Sequence, residues 1–236
     1  MSVEFVSSAF VRDVTARIAQ ARQRAVTRSG ALPAQPDARY WESVFETNAA
    51  EVLTELPGVT LGSGCVVRYA FFGQHGRDLH VRPFVAHRGT DVAAIRRLLD
   101  WHPPPDAINQ LVVPTQDVAL LYGHFAFPHT VSGIFEYWLA MQELWASAQW
   151  THAHLIADAG ELSTIASTEG WELLHRVEAC EPAIVRTDEG ARLAVLVHSP
   201  LHRFTITLQQ IEIGADQALR YAEPILVAAG PRGYAS

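Results

Sequence analysis

The sequence predicts an α+β fold built mainly from antiparallel sheet. Strand-like segments come in runs with helical segments between the runs, not in the one-for-one alternation of a parallel βαβ array. One long segment, about 130–150, is crowded with Ile134, Tyr137, Trp138, Met141, Leu144 and Trp145, an apolar arc wide enough for a helix that packs the sheet. Turn signals such as Gln74-His75-Gly76-Arg77 and Asp188-Glu189-Gly190 join neighbouring strand-like runs, as hairpins require.

Val6, Phe10, Val14 and Ile18 recur every four residues and predict a first helix, which Ser29-Gly30 ends. Asp37 is placed to cap a second helix carrying Trp41, Phe45, Val52 and Leu56, stopped by Pro57-Gly58. Strands are expected at about 64–73 and 78–87, and a helix opens at Thr90-Asp91 and closes at the three prolines 103–105. Further strands are expected at 108–113 and 117–127, and another at 152–157. Asp158 with Glu161 three residues on starts a short helix that runs to Gly170. The strands 171–178, 181–187, 191–198 and 203–213 then form a meander, and Asp216 is read as the cap of a last helix, shortened or kinked at Pro224.

Residues 1–36 are expected to be a basic amphipathic helix and linker that pack on the body or on a second subunit. They hold five arginines against two acids, a net of +3, which leaves −10 for the rest of a chain whose formal charge is −7. Residues 37–236 are read as a single α+β body, with a loose likeness between 37–150 and 151–230. Glu169 to Leu174 resembles the helix-to-strand junction of some small bacterial domains of unknown function, and that resemblance implies no activity.

All 18 basic residues are arginine. Without lysine, no enzyme forming a Schiff base on its own side chain fits, and neither does a P-loop or kinase nucleotide site. The acidic balance argues against a duplex nucleic-acid binder, which needs a basic stripe. No apolar run has membrane-span length, and no signal core opens the sequence, so a cytoplasmic protein is expected. Cys65 and Cys180 are far apart and read as buried free thiols.

Proton transfer near neutrality would fall to the eleven histidines or to a carboxylate with a raised pKa. His80, His124 and His129 are the catalytic candidates, the last two bracketing a strand-to-helix junction of the kind that lines pockets. His152 and His154 share a strand face, with Asp158 further along, so they are candidate zinc ligands, the third being His175, His198 or His202. Arg82 and Arg88 share another strand face and suit a small anion, although paired or solvated arginines are the ordinary pattern there. G-x-S-x-G, G-x-G-x-x-G and H-E-x-x-H are all missing. The expectation is therefore a non-catalytic protein-binding role, of inhibitor, immunity or adaptor type, with a protein partner or homo-oligomer. The alternative is a small-molecule enzyme with a His/Arg-lined pocket, in its most concrete form a metal-assisted hydrolase using His152 and His154.

Overall fold

The computed structural model describes residues 2–29, 38–74, 77–90, 118–119, 121–149, 154–168, 170–199 and 204–230. Along the chain they form β1 (Val3–Phe5), α1 (Ser8–Ser29), α2 (Ala38–Thr54), β2 (Thr60–Leu61), β3 (Cys65–Gln74), β4 (Arg77–His87), β5 (Val118–Ala119) and β6 (Phe125–Ala126). Then come α3 (Val131–Gln149), β7 (His154–Ile156), α4 (Ala159–Ala166), β8 (Glu172–Leu173), β9 (Ala183–Thr187), β10 (Gly190–Ser199), β11 (Thr205–Gly214), β12 (Leu219–Tyr221) and β13 (Ile225–Ala229). Every strand pairing is antiparallel, so the fold is α+β as the order of runs predicts. Among the described residues no helix is long and apolar enough to cross a membrane.

The chain divides into two compact units. One comprises Met1–Arg17, Pro128–Leu139 and Thr151–Ser236. Its eight-stranded sheet has the order β1-β9-β10-β11-β13-β8, with β7 also pairing β10 and β12 also pairing β11. The meander residues alternate as a half-buried sheet requires: Ile184, Leu193, Val195, Ile211 and Ile213 are buried, whereas Arg186, Arg192 and Glu212 are exposed. Gly190 turns the chain from β9 into β10 at φ +148, where a Cβ would lie 1.9 Å from the Ile213 carbonyl oxygen, so no other residue fits without a backbone shift.

The other unit comprises Ile18–Phe127 and Ala140–Trp150. Here β3, β4 and β5 form a three-stranded sheet, β2 pairs β6, and α2 packs along β3 through Phe45 and Tyr69, whose ring centroids are 5.2 Å apart. Tyr69 is buried, and its hydroxyl has no hydrogen-bond partner among the described residues; burial pushes the phenol well above its usual range.

The helical stripe is observed in part: Val14 and Ile18 are buried together with Val11, Ala21 and Ala25, whereas Phe10 is half-buried and buried Val6 precedes α1. The N-terminal arginines are neutralised. Arg12 pairs with Asp158, Arg17 with Asp13, Arg22 with Glu143, Arg24 with Glu51 and Glu55, and Arg28 with Glu51. In α3 the run Ile134 to Met141 is buried on every side, which accounts for its width of apolar arc.

Some elements differ from expectation. The last segment is strand, not helix: Asp216 Oδ1 accepts from the Ala218 N–H at 3.1 Å, a turn two residues on, and β12 and β13 then pair with β11. That backbone bond, with Arg220 beside it, holds the Asp216 carboxyl below its usual range. Residues 117–127 are not one strand, because a turn at 121–124 separates β5 from β6. The expected strand 171–178 shrinks to β8, and α4 stops at Ala166 rather than Gly170. Three-residue β1 was not expected at all. The Asp37 cap, the helix after Thr90 and the strand 108–113 lie outside the described residues.

Candidate functional site

Among the described residues, the β8/β13 edge of the large sheet exposes several large apolar side chains. β13 is irregular: Ala228 faces Ile206 and Leu226 faces Thr207, so Val227 is an extra residue against β11. Such a bulge resets side-chain alternation and is common at sheet edges near functional sites. Its effect is visible in burial, since Val227 and Ala228 are both buried and Ile225 and Leu226 are both exposed. The Val227 carbonyl accepts from the N–H groups of Leu174 and His175, and His175 Nδ1 donates to the Leu226 carbonyl at 2.8 Å. These bonds place Leu173 (54% exposed) and Leu174 (42%) beside Ile225 (40%) and Leu226 (37%).

Phe204 extends the same patch. It is 42% exposed and sits at φ +49, a left-handed conformation that costs a bulky residue about 1–2 kcal/mol. Its carbonyl accepts from the Gly230 N–H at 2.7 Å, and a Cβ on Gly230 would lie 2.8 Å from the Trp171 indole and 2.9 Å from Phe204 Cβ. The strained phenylalanine is therefore held by close packing of Trp171 over Gly230. Five large apolar side chains lie exposed along one sheet edge, and clustered apolar exposure of this kind marks an interaction site.

Behind this corner stands His198. Its ring meets Trp171 edge-on at 5.4 Å, and its Nε2 is buried with no hydrogen-bond partner among the described residues. On β7, His154 lies directly opposite it, and the His154 ring pairs with Glu161 of α4. Burial foremost, and then His154, push the His198 imidazole below its ordinary value, with Glu161 opposing them. An unfolded imidazole titrates near 6.5, so below about that pH the unfolded chain binds more protons and stability is lost as the pH is lowered. We expect His198→Phe to flatten the decline in thermal stability between pH 7 and 5. His124 shares the direction of shift, so part of the decline remains; an unchanged profile would show that His198 titrates freely.

The sequence-predicted candidates lie on several elements, and some fall outside the described residues. His152 lies outside the described residues. Asp158 is occupied: Oδ1 accepts from the Glu161 N–H at 3.0 Å as the cap of α4, and Oδ2 meets Arg12. Glu161 does not complete a reciprocal capping box; its Oε2 takes the Ala157 N–H at 2.8 Å and its Oε1 meets His154. Among the described residues no group of three His, Cys, Asp or Glu side chains is placed to hold a metal ion. His154 instead lies beside His198, one of the three further ligands considered.

His80 and Arg82 occupy β4 opposite Phe72 and Ala70, and their side chains lie outside the described residues. Arg88 is exposed just beyond β4. His124 is half-buried, and burial, then His87, lower its pKa; His129 is exposed. Cys180 is buried and its thiol is pushed up by burial, whereas Cys65 is only half-buried, contrary to expectation.

The apolar edge itself was missed, although it left a signal. Leu173-Leu174 and Ile225-Leu226 are adjacent apolar pairs that break strand alternation, and Pro224 before the second is an edge-strand mark. No protein-family model, no curated protein and no solved structure matches this chain.

Proposed function

We propose that the protein acts by binding another protein through the β8/β13 edge, as a non-catalytic binding or adaptor module. The observation that carries this reading is the exposure of Leu173, Leu174, Phe204, Ile225 and Leu226 along one bulged sheet edge. Burying exposed apolar surface is the ordinary driving force of association, and Phe204 holds a strained conformation within that surface.

The charge around the patch selects the kind of partner. Glu172 is exposed on β8 and Glu223 two residues before Ile225, and Arg176, two residues past Leu174, is exposed as well, so the described rim is net acidic. A second copy of this acidic chain would bring carboxylate against carboxylate, so the surface suits a different protein, one whose apolar face is rimmed by basic side chains.

Phe204→Gly separates this role from a structural one. Glycine relieves the left-handed strain, so unfolding free energy should hold steady or rise by up to about 1 kcal/mol. Partner affinity should fall at least ~10-fold, the loss expected for one aromatic anchor. A variant that loses stability and keeps its partner would show that Phe204 serves the fold alone.

A further inference from the structure

The unit formed by Ile18–Phe127 and Ala140–Trp150 contains a pocket of about 530 Å³, within the usual size of small-molecule sites. Leu53 of α2, Leu61 of β2 and Val67 of β3 give it apolar walls. Three charged side chains also line it: Glu46, Arg68 and Arg88. Arg68 pairs with Glu46, so those two charges cancel. Arg88 forms no ion pair with any described residue. Its backbone N–H donates to the Gly64 carbonyl at 2.8 Å, which ties the root of the side chain to the turn that forms the pocket rim.

An apolar concavity with one uncompensated guanidinium is matched by a ligand with an apolar body and one negative charge. We propose that this pocket binds a small aliphatic monocarboxylate, its chain against Leu53, Leu61 and Val67 and its carboxylate on Arg88. A guanidinium takes a carboxylate through two parallel N–H donors. Dianions such as phosphate are disfavoured, because only one cation is uncompensated and the Glu46 carboxylate lies in the same wall.

The structure also supplies a reporter. Cys65 lines the pocket and is half-buried, whereas Cys180 is buried in the other unit. The test uses the full chain and octanoate. Calorimetry should show one site, and octanoate should slow alkylation of Cys65 by iodoacetamide while leaving Cys180 unaffected. Arg88→Gln should weaken octanoate about 10-fold, the loss of one charge-assisted pair, and octanol should bind wild type no better than octanoate binds that variant. Arg88 is exposed, so the variant should keep the wild-type fold by circular dichroism. Leu53→Asp, which sets a carboxylate in the apolar wall and leaves Arg88 in place, should weaken binding at least ~10-fold as well. No heat and no protection at millimolar octanoate would overturn the proposal, as would unchanged binding in Arg88→Gln or phosphate binding as tightly as octanoate.

Discussion

Arg22→Met is expected to destabilise the protein by about 2–3 kcal/mol, a large share of the stability of an ordinary domain. The reason lies in how α1 meets α3. Arg22 grips Glu143 with two donors, Nε to Oε2 at 2.8 Å and Nη2 to Oε1, and the Glu143 side chain is only 8% exposed. Methionine keeps the length of the side chain and removes the charge, so the carboxylate stays buried without its guanidinium. Because Arg22 itself keeps 27% exposure, the cost falls below that of a fully buried pair. Adding Glu143→Leu should recover most of the loss, since apolar residues of similar volume replace a buried ion pair with little penalty. Urea unfolding of the two single variants and the double variant measures this as a coupling energy. If Arg22→Met changes stability by less than ~0.5 kcal/mol, water reaches the pair and the basic face of α1 is held by packing alone.

The same contact explains why a basic N-terminal segment occurs in an acidic chain. Its arginines have carboxylate partners on α2, on α3 and at the start of α4, as well as on α1 itself. Its apolar stripe is buried. Deleting it would remove core, so a change in solution mass after such a deletion would not show that the helix bridges subunits.

A second large effect is expected at the β8/β13 edge. Leu173→Asp together with Leu226→Asp should reduce partner affinity by at least ~100-fold, because complex formation would then strip water from two unpaired carboxylates, at a cost of several kcal/mol. The fold should tolerate both changes. The two leucines are 54% and 37% exposed, and substitutions at such positions usually fall within about ±0.5 kcal/mol. The backbone bonds of the edge, Leu174 and His175 to the Val227 carbonyl, do not involve either side chain. The new carboxylates also add to Glu172 and Glu223, so a partner with a basic rim would gain some long-range attraction and still lose the apolar contact.

What the sequence made legible follows from how local each signal is. The helix over 130–150, the hairpin of β3 and β4 and the strands β9 to β11 rest on periodicity and turn residues that act within a few positions, and they appear within one to three residues of expectation. The Asp158 cap was legible for the same reason, because its acceptor meets a donor three residues away.

Elements that depend on distant partners were not. β1 is three residues long and exists because β9, some 180 positions on, pairs with it. Asp216 looked like a helix cap because an Asx residue accepts a backbone N–H both at a cap and at a turn. Only the availability of β11 decides that the chain continues as β12 and β13. The bulge at Val227 and the left-handed Phe204 are imposed by pairing and by Trp171 over Gly230, and no local pattern encodes them. Asp158, read from spacing as a candidate metal ligand, shows a simpler limit. Asp158 has a cap to make and an arginine to meet, and sequence spacing does not show that a carboxylate is already engaged.

Association through the β8/β13 edge is tested most directly by isolating the tagged protein and its variants from the native cells. Complexes are resolved by size-exclusion chromatography with light scattering, and the co-eluting chain is titrated back onto each purified form by calorimetry. Wild type should hold one protein at fixed stoichiometry. The Leu173→Asp, Leu226→Asp form should lose it while keeping the wild-type unfolding midpoint, and Arg88→Gln should retain it. A chain that elutes alone at its own mass, or a partner bound equally by wild type and the double variant, would contradict the proposed role of this edge.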